Sequence, residues 1–457
     1  MLSSLLFNIY VDDINTIFDD TCDPVKIFGS PLSHLLYADD LVLLSTTQEG
    51  LNKCLSQLGT FCNVWQLEVN IKKSKVVIFN SAGRLITGAN FFYCEFKLEV
   101  VKSYCYLGID FLCSGSFRTA RTNLCEKAEK AMFPLKSMIK QFQLPCGKSI
   151  ELFHTLIKPI ALYNSENLAH LTHHQINSIV SKKTTLLSCF SNSYLDTTHQ
   201  KCLKYILGVK RNCSNMATLG ETGEFPLFLN ACVSLLFYWH RTTQMPEETV
   251  VKKALLYLSN EENTKSEWMS TVKFLLNELN MTNFIQNPNL TTTEKFTRTC
   301  KERIKSKFIS QWGEEISADN SRSGRSNKLR FYQLYKDKFS REPYLDYISS
   351  FNLRKILTKF RCSDHVLEIE KGRHRKLDVS ERICQVCKCS VETEMHFLQE
   401  CPLYTQLREK YFGKSELRNW TYILQCKEKE TAINLANFLT KAFNLRKRML
   451  SLHAYFL

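Results

Sequence analysis

From Leu2 to Phe18 the apolar residues fall at Leu2, Leu5, Leu6, Ile9, Tyr10, Ile14, Ile17 and Phe18 with polar residues between, a spacing that predicts an amphipathic helix. His34 to Ser45 (HLLYADDLVLLS) has two apolar, strand-length arms around an Asp pair. Asp suits a tight turn better than a strand interior, so this segment predicts a β-hairpin with carboxylates at its tip. A second helix is predicted from Glu49 to Trp65, with Leu51, Leu55, Leu58, Phe61, Cys62 and Trp65 on one face. Leu67 to Asn80 returns to strand character at VVIF, and Val100 to Phe111 (VVKSYCYLGIDF) predicts another hairpin. From about Asn123 onward the pattern turns helical. Helix and hairpin together imply an α+β domain followed by mainly α-helical segments. Asn260 to Asn289 is polar and Asn-rich, which predicts a linker, and Ser321 to Ser326 (SRSGRS) is a second soft segment.

The chain has 457 residues, enough for several domains with their own cores. Its 19 cysteines are mostly scattered singly, and Met1 to Asp20 carries four Asp and no Lys or Arg, unlike a secretory leader. A reducing, intracellular setting is the expectation. Apolar runs such as Val233 to Trp239 fall far short of the roughly 20 residues that span a bilayer, so no membrane role is expected. A net charge of +15, from 60 Lys+Arg against 45 Asp+Glu, favours polyanionic partners and puts nucleic acid first. Many soluble proteins are basic without binding nucleic acid, so charge alone decides nothing.

Asp39 and Asp40 at a rigid hairpin tip offer the hard oxygen ligands that phosphoryl transfer by two divalent metals requires. A bare Asp pair is more often a solvated turn or a helix cap. The context changes this. The YADD of Tyr37 to Asp40, then WQLEVNIKKSKVVIF from Trp65 to Phe79, then KSYCYLGIDF from Lys102 to Phe111 resemble, in order, three blocks of the palm of non-LTR (LINE-like) retrotransposon reverse transcriptases. The resemblance implies Mg2+ ligation by Asp39 and Asp40, and Lys73 as general acid to the leaving pyrophosphate. It also implies nucleotide or primer contacts by Tyr37, Tyr106, Leu107 and Gly108. Tyr10 to Asp13 (YVDD) imitates the signature, but its flanks are helical and SSLLFNIYVDD is similar to the family's preceding block, with Ser4 replacing the family proline. Asp12 and Asp13 therefore receive no catalytic role. The family's site uses a third carboxylate on an earlier palm strand, which would precede Met1. The expectation is thus a palm truncated at its N-terminus, inactive alone and with uncovered apolar faces.

Further along, Leu152 to Glu166 (LFHTLIKPIALYNSE, with Asn164 in place of the usual Gly) and Lys201 to Leu227 are similar to the family's thumb-region blocks. Without that likeness, a helical core with solvated lysines explains them equally well. Lys295 to Lys307 and Arg322, Arg325, Lys328 and Arg330 are candidate phosphate contacts or a solvated face. His170, His173 and His174 lack Cys or carboxylate partners at ligand spacing.

Cys384-x2-Cys387-x8-His396-x4-Cys401 supplies three thiolates and an imidazole, the set for a closed tetrahedral zinc site, with Cys389 a nearby alternative among the early cysteines. With its lead-in EIEKGRHRKLDVSERICQVC, it resembles the C-terminal CCHC knuckle of the same family.

The division expected is 1–120 partial palm, 121–258 helical thumb-like region, 259–370 basic helical connection, 371–412 zinc knuckle and 413–457 C-terminal helices. The resemblance implies an RNA-directed DNA polymerase acting by target-primed reverse transcription, with element RNA, target DNA and dNTPs as partners and no small-molecule cofactor. The nucleus is the expected place of action, with the cytoplasm also open. The alternative is a non-catalytic RNA- or DNA-binding protein that retains thumb and knuckle.

Overall fold

The computed structural model describes residues 6–7, 9–186, 193–260, 266–318, 328–414 and 419–455. Ser4, Ser321 to Ser326, Arg322 and Arg325 lie outside the described residues. The chain divides into two compact units: 1–123 with 237–277 and 281–293, and 124–236 with 278–280 and 294–457. No helix among the described residues is long and apolar enough to cross a membrane.

The N-terminal part of the first unit is built from short hairpins around one helix, and Val250–Ser259 and Glu267–Glu278 add further helices to the unit. Strands β1 (Val25–Ile27) and β2 (Ser30–Leu32) pair, as do β3 (His34–Tyr37) and β4 (Asp40–Leu43). Helix α1 (Gln48–Val64) follows, started by the Thr47 hydroxyl, which accepts from the Gly50 N–H at 3.0 Å. Strands β5 (Lys75–Val76), β6 (Phe91–Tyr93) and β7 (Phe96–Val100) form a mixed sheet with β7 central, and β8 (Ser103–Tyr106) pairs with β9 (Ile109–Leu112). Leu55, Leu58, Phe61 and Cys62 of α1 meet Phe91, Tyr93, Leu98 and Val76 in the core, and Leu36, Leu41 and Leu43 of β3–β4 pack against it. The register pairs Leu36 with Leu41 and Tyr37 with Asp40. One face of β3–β4 is therefore committed to the core, and the other carries Leu35, Tyr37, Asp40 and Val42.

The expected helices and the two expected hairpins form, but the first stretch differs. Tyr10 ends the helical turns, and Asp12–Thr16 is a 3-10 helix. There Asn15 Nδ2 donates to the Asp12 carbonyl and Thr16 Oγ1 to the Asp13 carbonyl, both at 2.8 Å, local bonds that compete with helix continuation. Val11 and Ile14 are buried, whereas Leu6 and Ile9 stay 56% and 66% exposed. The expected apolar stripe is thus only half used. Hairpins β1–β2 and β6–β7 were not expected; the Phe28-Gly29 turn, with φ of +49° and +79°, was the available signal. The expected linker is corrected too. Glu267–Glu278 is helix α2, with Met269, Val272, Phe274, Leu275 and Leu276 buried, an apolar face that the surrounding Asn residues disguise.

The second unit is helical. Its main elements are α3 (Tyr194–Leu207), α4 (Asn215–Thr222), α5 (Thr293–Ala318, nearly all in this unit), α6 (Phe351–Arg361) and α7 (Lys429–Tyr455). In α5 the buried residues Phe296, Cys300, Ile304, Phe308, Trp312 and Ile316 recur every fourth position. At 3.6 residues per turn that stripe winds around the helix, so its packing partners change along its length. At the centre Arg361, fully buried, donates to both Glu221 oxygens at 2.9 Å and to Glu342 at 2.6 Å, and lies over the Tyr335 ring. Gly223 ends α4 with φ +67°, where a Cβ would lie 2.5 Å from the Arg341 nitrogen. Gly223→Ala is expected to cost about 2 kcal/mol or more, since the left-handed conformation alone costs an L-residue about 1–2 kcal/mol. A urea-unfolding midpoint equal to wild type would contradict this close approach.

Candidate active-site hairpin and metal centre

The turn between β3 and β4 consists of Ala38 and Asp39, with Ala38 at φ +52°. A non-glycine residue in that region is strained, and such strain is tolerated where neighbours fix the backbone. Asp39 occupies the turn and Asp40 opens β4, both exposed, beside Tyr37, which is 65% exposed. The second hairpin turns at Leu107 and Gly108, φ +47° and +79°, the paired positive values a tight hairpin needs. Tyr106 precedes that turn. Burial and then the Asp40 charge push its phenol up. Lys73 sits in the turn after α1, its N–H on the Asn70 carbonyl at 3.1 Å and its own carbonyl accepting from Tyr104 Oη at 3.1 Å.

The three sequence blocks meet in one unit: Leu36, Leu41 and Leu43 of the first pack on the core that takes Leu67, Val76 and Ile78 of the second, and the Lys73 turn of the second accepts from Tyr104 of the third. The Lys73 side chain is exposed. The imitation motif is used differently. Tyr10 Oη donates to the Trp65 carbonyl at 2.7 Å with its ring edge-on to the indole at 5.1 Å, and the Asp12 carboxylate accepts from Asn15.

At the other candidate site, one ligand atom from each of Cys384, Cys387, His396 and Cys401 lies within 4.8 Å of the other three. Among the described residues no other three His, Cys, Asp or Glu side chains converge in this way. A short β-bridge, Ile383 to Val391, and the Lys388 N–H on the Cys384 carbonyl fold the first two thiols into a tight turn. His396 and Cys401 come from one π-helical turn, in which the Cys401 N–H donates to the His396 carbonyl at 2.9 Å. Such turns widen a helix locally and recur at functional sites.

Cys384, His396 and Cys401 are buried, and the Cys401 thiol's hydrogen bond holds Cys384 well below the ordinary thiol range. His396 Nε2 lies 3.3 Å from Cys387 Sγ while Nδ1 meets Glu400 at 3.1 Å. A carboxylate behind the imidazole fixes which nitrogen faces a metal, as in many zinc sites. The donor set and its spacing fit zinc. Cys389 is exposed, its thiol on the Cys387 carbonyl at 3.0 Å, and stands outside the four. His170 has its Nδ1 3.0 Å from the Asn167 carbonyl oxygen and joins no ligand group.

Residues that sequence reasoning missed tie this centre to its unit. Phe397, fully buried, stacks on Phe443 at 4.7 Å and meets Phe360 and Phe438. Glu392, 3.7 Å from Cys384 Sγ, takes two bonds from Arg446 of α7 at 2.7 and 2.6 Å. Arg330 bridges Glu370 and Glu394 at 2.7 Å each, and His365 also meets Glu394, at 3.0 Å. A buried charge needs such partners, and these lie tens of residues apart in sequence.

A paired-carboxylate hairpin, a lysine turn and a second hairpin all lie within residues 1–111. Residues 1–111 match the family model of the reverse transcriptase (RNA-dependent DNA polymerase). No curated protein matches the chain. The family acts as an RNA-directed DNA polymerase and ordinarily uses Mg2+.

Proposed function

We propose that the chain serves the target-primed reverse transcription of a non-LTR retrotransposon. What supports this is the matched segment, in which the YADD hairpin packs on the core shared with the Trp65–Phe79 block and the Lys73 turn bonds to the YLG hairpin through Tyr104. Asp39 and Asp40 are the Mg2+ ligands, and the ion would supply charge stabilisation to the transferring phosphoryl group. Lys73, on its exposed turn, gives a proton to the leaving pyrophosphate. Tyr37 and Tyr106 flank the nucleotide, and Leu107 and Gly108 present the primer end. Zinc in the Cys384–Cys401 centre would make a rigid platform for element RNA or target DNA. Work on chromosomal DNA would take place in the nucleus, the proposed place of action, with the cytoplasm as the alternative.

With two carboxylates at the hairpin tip and no third ligand converging there among the described residues, the chain alone is proposed not to polymerise. This favours, as a second reading, a non-catalytic RNA- or DNA-binding role carried by the helical unit and its metal centre. Primer extension on an RNA template with Mg2+ separates the two. The purified chain is expected to add no nucleotides. Template-dependent synthesis that disappears in Asp39→Asn would overturn the inactivity and leave the polymerase reading standing.

A further inference from the structure

Between α3 and α4 of the second unit, the loop 208–214 is held by lysines. Lys204 Nζ donates to the Arg211 carbonyl at 2.8 Å, and Lys328 Nζ to the Asn212 carbonyl at 2.7 Å. The Lys210 N–H donates to Asp364 Oδ2 at 2.8 Å, and its ammonium lies 3.6 Å from the other carboxylate oxygen. Gly208 closes α3 with φ +70°, and a Cβ there would lie 2.9 Å from Lys355 Cγ and 3.1 Å from Phe351 Cζ. The Lys355 stem of α6 is thus laid against the loop, with Lys359 one turn further on.

The charges in this place are mostly of one sign. Burial lowers the Lys359 pKa; the pull of Asp364 comes next and opposes it, and the nearby ammoniums of Lys355 and Lys210 add to the lowering. Lys204 is lowered in the same way, by burial and by Lys328. Asp364, 6% exposed, is the carboxylate that faces both. Lys204, Lys210 and Lys359 share the one Asp364 carboxylate, with the Lys328 ammonium near Lys204 and the Lys355 ammonium near Lys359, so cations outnumber the acid and an anionic ligand would relieve their repulsion. A loop pinned by its own carbonyls presents those charges without further ordering, which lowers the entropy cost of binding.

We propose that this cradle docks the sugar-phosphate backbone of a nucleic acid. Lys210, Lys355 and Lys359 contact phosphate oxygens, and Lys204 and Lys328 act as positioning residues that hold the loop. The cradle lies beyond residues 1–111 and leaves Asp39 and Asp40 untouched. Its test therefore stands whether or not the chain polymerises.

The test uses the zinc-loaded full chain, fluorescent poly(U) RNA and, in parallel, duplex DNA, with anisotropy followed through a KCl series. The triple variant Lys210→Gln, Lys355→Gln, Lys359→Gln is expected to bind RNA roughly 10- to 100-fold more weakly at low salt. Its slope of log K against log salt should be shallower by about 2, three contacts at about 0.7 each on a single strand. Arg at the same three positions should restore the slope, because charge and not lysine shape is what matters. Gln at the exposed Lys127, Lys130 and Lys140 should leave it unchanged. Stronger loss on RNA or on duplex DNA identifies which backbone is docked, and either supports the cradle. An unchanged slope in the Gln triple overturns it, as does an Arg triple as weak as the Gln triple. A loss seen on phosphatidylserine vesicles and not on nucleic acid overturns it as well.

Discussion

Arg361→Met is expected to destabilise the second unit by about 3–5 kcal/mol, the usual cost of removing one partner from a buried ionic cluster. Arg361 is fully buried and supplies hydrogen bonds to both oxygens of Glu221, to Glu342 and to the Leu424 carbonyl. Burial pushes the Glu221 carboxyl up, but Arg361 outweighs it and holds the group below the ordinary carboxylate range. Without the guanidinium, Glu221 keeps Tyr344 Oη at 2.5 Å and loses the cation that balanced it. Such a cost is a large part of the whole stability of an ordinary domain. Adding Glu221→Gln should recover part of the loss, because the orphaned charge is removed with it. Denaturant unfolding of the two variants checks this. A single variant within about 0.5 kcal/mol of wild type, the range of ordinary surface changes, would show that the cluster contributes little.

Removal of zinc should have the second large effect. Structural zinc in finger peptides carries about 10–16 kcal/mol of apparent binding energy, and that energy is folding energy. Chelation, or Cys387→Ser, is therefore expected to open residues from about Arg382 to Tyr404 to protease. The effect should spread, because Phe397 fills a core built partly by Phe438 and Phe443 of α7 and Glu392 anchors Arg446. Metal analysis of the purified chain should find one zinc per chain. A zinc-free chain with the same cleavage pattern before and after chelation would contradict the assignment.

Sequence and structure agree where a local pattern carries the information. The YADD hairpin, the helix after it and the YLG hairpin each announce themselves through alternation, periodicity or a tight-turn dipeptide. The four Cys and His side chains that converge are legible for the same reason, since short spacers join them in pairs. The partners of the centre were not legible. Nothing in the local sequence of Arg446 or Arg330 points to Glu392 or Glu394, because the pairing is made by tertiary packing across 54 and 64 residues. The helix at Glu267–Glu278 was hidden by polar neighbours, and the first helix was overread. Periodicity near Leu6 and Ile9 persists beyond the point where Asn15 and Thr16 bond back to the chain.

Both proposed readings require that this chain bind nucleic acid, and its YADD hairpin and its Cys/His cluster lie in separate compact units. Titrating the zinc-loaded chain into a labelled RNA–DNA primer-template tests that requirement most directly. A saturable complex is expected, whose log K falls linearly with log salt with a slope of several units. Absence of a saturable complex at about 50 mM salt, where phosphate contacts are strong, would contradict it.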